Sequence, residues 1–166
     1  MPAIPSPAAT LVLLRDRPAG GVETLLIQRH TASRFGGGDF VFPGGKVETD
    51  DMPANARTLC AGLNPEEAAR RLGDVASHDA ALGFWVGAIR ETFEEVGVLL
   101  AYNADGRLLN LSGETGRRFE AHRQACQQDE SAFWTMLREE RLTLATDRLV
   151  YFAHWITPEE SKIRFD

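Results

Sequence analysis

The hydrophobic pattern of this chain changes period along its length. Residues 9–15 (ATLVLLR) and 22–29 (VETLLIQR) are short β-type apolar runs, separated by the turn-forming Asp16-Arg17-Pro18-Ala19-Gly20-Gly21. Together they predict a hairpin. Phe40-Val41-Phe42 predicts a further strand, stopped by Pro43-Gly44-Gly45. Beyond Asp79 the spacing becomes helical. Leu82, Trp85, Val86, Ile89, Phe93 and Val96 recur three and four apart, so the pattern predicts a long helix ending at Gly97 with one buried stripe. Asn64-Pro65-Glu66-Glu67 offers a cap, a proline at the first helical position and an acid at the third, predicting a shorter helix to about Leu72 and Gly73. Residues 98–102 read as a strand and 103–106 as a turn. Residues 113–140 read as helix in two pieces, broken near Asp129-Glu130-Ser131, and 149–157 (LVYFAHWIT) as a strand. Strands, a long helix, more helix and a strand again predict an α+β fold rather than repeated βαβ units.

Composition narrows the classes. A length of 166 residues fits one domain with a real core, and 43% hydrophobic with 25% charged residues is ordinary for a globular protein. A net charge of −6 excludes a general nucleic-acid binder, which needs a basic surface. It does not exclude a phosphate-bearing small molecule, because a bound divalent cation reverses the local sign. Cys60 and Cys126 form no ligand spacing and read as free thiols. The start of the chain lacks a basic segment followed by an apolar run, and no stretch approaches the roughly 20 apolar residues that span a bilayer. The expectation is a cytoplasmic protein with no membrane partner. His30, His78, His122 and His154 are too scattered for a ligand set, and Trp85 and Trp155 read as core residues.

The chemistry concentrates at Arg90-Glu91-Thr92-Phe93-Glu94-Glu95-Val96-Gly97. On a helix Glu91, Glu94 and Glu95 share one side, while Phe93 and Val96 face the core. As free charges they are badly placed. Like charges three or four apart cost roughly 0.2–0.5 kcal/mol per pair, and the negative end of the helix dipole adds about 0.3–1 kcal/mol per anion. Arg90 can offset part of this by pairing with Glu94. A hard divalent cation offsets more, since Mg²⁺ prefers carboxylate oxygens. The glycine turn upstream, at Phe42-Pro43-Gly44-Gly45-Lys46-Val47-Glu48, can bring bare backbone close to a metal or phosphate.

These residues resemble the Nudix hydrolase family. Its signature runs glycine, five residues, an acid, seven residues, then Arg-Glu-apolar-x-Glu-Glu-x-Gly-apolar. Gly45 matches the glycine, and Arg90-Glu91, Glu94-Glu95, Gly97 and Val98 match the second half, with Thr92 in place of the usual apolar residue. Asp51 falls at the acid position, with Asp50 and Glu48 as rivals. Thirty-eight residues, Met52 to Ile89, stand where the signature has seven. Residues 49–80 therefore read as an insertion within the signature. Ser33-Arg34-Phe35, residues 41–45 and residues 88–100 look like the phrases flanking such an insertion in the subgroup of the peroxisomal coenzyme A diphosphatase.

The resemblance implies a single Nudix domain over residues 1–166, an α/β/α sandwich with a mixed sheet, a metal-binding helix and a helical insertion. It implies a hydrolase that cleaves the diphosphate linkage of a nucleoside-diphosphate derivative, coenzyme A or acyl-CoA being the leading case. A nucleotide sugar or dinucleotide diphosphatase is the alternative, or a Nudix-fold module that binds a nucleotide without hydrolysing it. Carried over residue by residue, the resemblance assigns Glu91, Glu94, Glu95 and the Gly45 carbonyl to Mg²⁺ or Mn²⁺. It assigns Glu91, Glu94 and Arg90 to the catalytic set, with Arg90 orienting a glutamate, and Arg29, Arg34 and Lys46 to the substrate phosphates. The insertion could act as a lid over the site. Residues 162–166 look like the start of another element, so the domain would close with further chain or against a second copy in a homodimer.

Overall fold

A computed structural model of the chain describes residues 3–32, 36–52, 56–73, 77–129 and 131–166. Arg34 lies outside the described residues. The strands among the described residues are short: β1 (Ala8–Thr10), β2 (Leu14–Asp16), β3 (Val22–Thr24), β4 (Ile27–Gln28), β5 (Phe40–Val41), β6 (Gly44–Lys46), β7 (Ala101–Tyr102) and β8 (Thr143–Leu144). The α-helices among them are α1 (Pro65–Leu72), α2 (His78–Val96), α3 (Gly113–Cys126) and α4 (Ser131–Glu139).

The strands associate as antiparallel pairs, β1 with β6, β2 with β3, β4 with β5 and β7 with β8. The expected hairpin is β2–β3, but each long apolar run is divided. Residues 8–10 pair with β6, while residues 14–16 turn to β3. A parallel bridge between Ser6 and Phe165 lays the end of the chain beside the segment leading into β1, giving mixed strand directions. These short paired units, together with the helices, give the expected α+β fold.

One departure is larger. Residues 150–157 belong to no strand, and Val150, Phe152 and Trp155 are each more than four-fifths exposed. The apolar alternation there satisfies the sequence rule for a strand, but no ladder forms on it among the described residues. Trp155 is accordingly a surface residue, whereas Trp85 is buried as expected. His154 is also at the surface, against Asp166.

The helices follow their signals. Asn64 caps α1 through Glu67 N–H at 2.8 Å, with Pro65 as its first residue. Ser77 caps α2 through Ala80 N–H at 3.1 Å, and Gly97 ends it in the left-handed conformation, φ 71°. The stripe of α2 (Leu82, Trp85, Val86, Ile89, Phe93) packs with Phe119, Phe133, Met136, Leu137 and Leu144. The 49–80 segment belongs to this core. Its Ala56, Cys60, Leu63, Ala68 and Ala69 are buried, Ala61 N–H donates to the Leu144 carbonyl at 2.9 Å, and Thr146 Oγ1 donates to the Ala61 carbonyl at 2.7 Å. Both cysteines are free and buried, and burial pushes each thiol up to about 12. No helix among the described residues is long and apolar enough to cross a membrane.

Candidate active site

The site is assembled where the edge of β6 meets the last two turns of α2. In the β1–β6 ladder the bonds from Leu11 N–H to Pro43 O and from Val47 N–H to Pro7 O set the alternation. That alternation makes Ala9–Gly45 a hydrogen-bonded pair and turns the Gly44 N–H and Lys46 C=O away from β1. Both outward groups are taken by α2. Gly44 N–H donates to Glu95 Oε2 at 2.9 Å, and the Lys46 carbonyl accepts from Arg90 NH2 at 2.9 Å.

Between these two bonds lies Gly45, where a Cβ would fall 2.5–2.6 Å from the Glu91 carboxylate. The missing side chain is the space that the carboxylate fills. Gly44 is constrained from the other side, since a Cβ there would meet the Ala9 carbonyl at 2.4 Å, at φ 156°. The two glycines therefore let β1, β6 and α2 approach one another more closely than any side chain allows.

Arg90 is the buried hub. Its Nε and NH2 donate to the two oxygens of Asp51 at 2.7 and 3.0 Å, and NH1 reaches Glu91 Oε1 at 3.1 Å and Glu94 Oε2 at 3.2 Å. Arg90 is 4% exposed and Asp51 1%. Of the three candidate acids, Asp51 is the one that pairs with Arg90 in these contacts, and the Glu48 N–H donates to it at 2.9 Å. The Asp50 carbonyl instead accepts the Trp134 indole N–H at 2.6 Å, which fixes this turn to α4. Burial works against the Arg90 charge, but Asp51, Glu91 and Glu94 together hold its proton more firmly than usual.

For Glu91 the balance runs the other way. Burial, with Glu94 and Glu95 adding to it against the pull of Arg90, raises the carboxyl from 4.5 to about 7. A carboxylate so placed is short of positive charge. The donor chemistry therefore fits a hard divalent cation. Among the described residues, however, no three acidic, histidine or cysteine side chains converge on one point. Glu94 turns one oxygen to Arg90 and Glu95 turns one to Gly44. That leaves one or two carboxylates for a divalent cation, whose other positions waters and substrate phosphates would fill. The Gly45 carbonyl carries one ladder bond and keeps a second lone pair.

Glu91, Glu94 and Glu95 line an open cleft of about 510 Å³, faced by Ile27, Gln28, Arg29, His30 and Gln127. Arg29 thus lies in the same cleft as the three glutamates. Lys46 does not line the cleft, and its side chain is exposed while its carbonyl serves Arg90. No described residue of the 49–80 segment lines it either, and the helix α1 within that segment packs on α2. Gln127 escaped the sequence reading, and His30 was weighed there only as a metal ligand. His30 accepts the Ala32 N–H on Nδ1 at 3.2 Å and lines the cleft.

Comparison with known proteins identifies the fold and the family. The crystal structure of a NUDIX hydrolase from Alicyclobacillus acidocaldarius superposes with a TM-score of 0.70 over 98% of this chain and 67% of that one, at 24% identity, and shares its fold. The chain belongs to the Nudix hydrolase family: the profile of the NUDT19 Nudix domain matches residues 6–166. Within that family it is similar to acyl-coenzyme A diphosphatase NUDT19 of Xenopus laevis, 26% identical over 159 residues, covering 82% of this chain. The chain spans 42% of that relative's length.

Proposed function

We propose that this domain hydrolyses the diphosphate linkage of a nucleoside-diphosphate derivative, with coenzyme A or an acyl-CoA as its substrate class. One observation carries the reading: the Glu91 carboxylate, raised to about 7, is packed against the bare Gly45 backbone and opens with Glu94 and Glu95 onto one cleft. The coenzyme A choice rests on the likeness to the Xenopus laevis acyl-coenzyme A diphosphatase.

Glu91 and Glu95, one helical turn apart, would hold Mg²⁺ or Mn²⁺, with Glu94 and the Gly45 carbonyl adding water-bridged or direct donors. The bound ion supplies neutralisation of diphosphate charge and a lowered pKa for attacking water. Arg29 meets the phosphates from the far wall of the cleft. Arg90, enclosed by protein acceptors, is a positioning residue that spaces Glu91 from Glu94. Before an ion binds, Glu91 holds a proton near neutral pH; as a ligand it gives that proton up.

The test is phosphate release, after phosphatase coupling, from coenzyme A, acyl-CoA, ADP-ribose, NADH, diadenosine polyphosphates and a nucleotide sugar, with Mg²⁺, with Mn²⁺ and with a chelator. The expected result is metal-dependent hydrolysis greatest for coenzyme A or acyl-CoA, abolished in Glu95→Gln. Metal-dependent turnover of another member would keep the chemistry and replace the substrate. Tight nucleotide binding without turnover would replace hydrolase with binding module.

A further inference from the structure

The last turn of α2 leaves backbone carbonyls without helical partners. The Phe93 carbonyl is taken by Gly97 N–H at 2.9 Å. The next one, on Glu94, is met from outside by two side chains of the α3 terminus. Gln127 Nε2 donates to it at 2.6 Å and Arg123 NH1 at 2.9 Å. Arg123 is itself fixed, since Glu120 takes its Nε at 2.9 Å and its NH2 at 3.0 Å. Its stem crosses the helix end, with Cδ 3.7 Å from where a Gly97 Cβ would sit. Gln127 also lines the cleft beside the three glutamates.

We propose that Arg123 and Gln127 are positioning residues for the hydrolytic centre, holding the Glu94 backbone so that Glu91, Glu94 and Glu95 keep their spacing around a bound divalent cation. The inference rests on the function proposed above. The physical argument has two parts. A helix end bearing two adjacent carboxylates is the end most prone to fray, because the dipole and the side-chain charges have the same sign. A guanidinium on the Glu94 carbonyl places opposite charge at that end, and the Gln127 amide adds a second, uncharged donor. Both donors reach the Glu94 carbonyl, so they act on the backbone that carries the carboxylates. Small displacements of a ligand carboxylate are costly to catalysis, since misplacement by about 1 Å can cost on the order of 10²-fold.

The test uses Arg123→Met, Arg123→Lys and Gln127→Leu in the whole chain. Hydrogen exchange of the 94–98 amides without metal reports the helix end, Mn²⁺ binding by electron paramagnetic resonance reports the site, and kcat and KM report catalysis. Arg123→Met and Gln127→Leu are expected to speed exchange at 94–98 at least fivefold, with exchange at 82–89 unchanged. They should weaken Mn²⁺ at least fivefold and lower kcat more than they raise KM. Arg123→Lys, retaining a cationic donor, should recover most of each effect. Exchange and Mn²⁺ affinity within twofold of wild type in both variants would overturn the proposal. So would faster exchange spread over all of α2, which marks general destabilisation. If wild-type protein bound no Mn²⁺, the metal reading itself would fail, while the exchange result would still report whether the helix end is held.

Discussion

The two ends of α2 are built by opposite means. Toward its start, Ala81, Leu82, Trp85, Val86 and Ile89 are buried against α1 and the rest of the inserted segment, and the stabilisation is apolar. Toward its finish, Arg90, Glu91, Glu94 and Glu95 are held by named polar contacts to β6, Asp51 and α3. The apolar end can accommodate the unfavourable charge of three carboxylates at the other end because it anchors the same helix. The insertion, which interrupts the signature in sequence, supplies that anchor in space.

The comparison can be broken most severely by deleting residues 52–78. This removes Ala56, Cys60, Leu63, Ala68 and Ala69 from the core, so cooperative folding should be lost, as seen by circular dichroism and thermal melting. A folded, active deletion would show the apolar end to be dispensable. Next in size is Asp51→Ala, which removes the two-bond carboxylate partner of the buried Arg90. Removing one partner of such a pair costs about 3–5 kcal/mol, measurable by denaturant titration.

Third comes pH. The Glu91 carboxyl is raised in the folded protein from 4.5 to about 7, so without metal its protonated form favours folding. That contribution is complete below pH 4.5 and is lost as pH rises through about 7, an effect of about 3 kcal/mol. Metal-free protein should therefore melt lower at pH 8 than this group alone would allow at pH 5, and the difference should vanish in Glu91→Gln. Smallest in stability, though not in turnover, is Gly45→Ala. The new Cβ would displace a flexible carboxylate rather than backbone, so the fold should persist while activity falls on the order of 10²-fold.

Much of this was legible in advance. Both ends of α2 and the start of α1 carry local signals, Asn64-Pro65, the apolar stripe and Gly97, and the helices begin and stop within a residue or so of them. The α3–α4 break near Asp129 also follows its polar composition. The residues of the signature were found because they are spaced by one helix. Arg123 and Gln127 were not, because they reach Glu94 across 29 and 33 residues with no motif to mark them. Similarly, β8 pairs with β7 over some forty positions and is only Thr143–Leu144 long. The opposite error arose at 149–157, where β-type composition stood in for a pairing partner. A strand is defined by its neighbour, and composition does not carry that information.

The most direct measurement is Mn²⁺ binding to the wild-type chain and to Glu91→Gln by electron paramagnetic resonance between pH 5 and 8. The account predicts wild-type binding that strengthens as pH passes about 7, where Glu91 loses its proton, and affinity at least tenfold weaker in the variant at pH 8. Equal affinity in both proteins, or no binding by the wild type, would contradict the claim that the end of α2 is the cation centre.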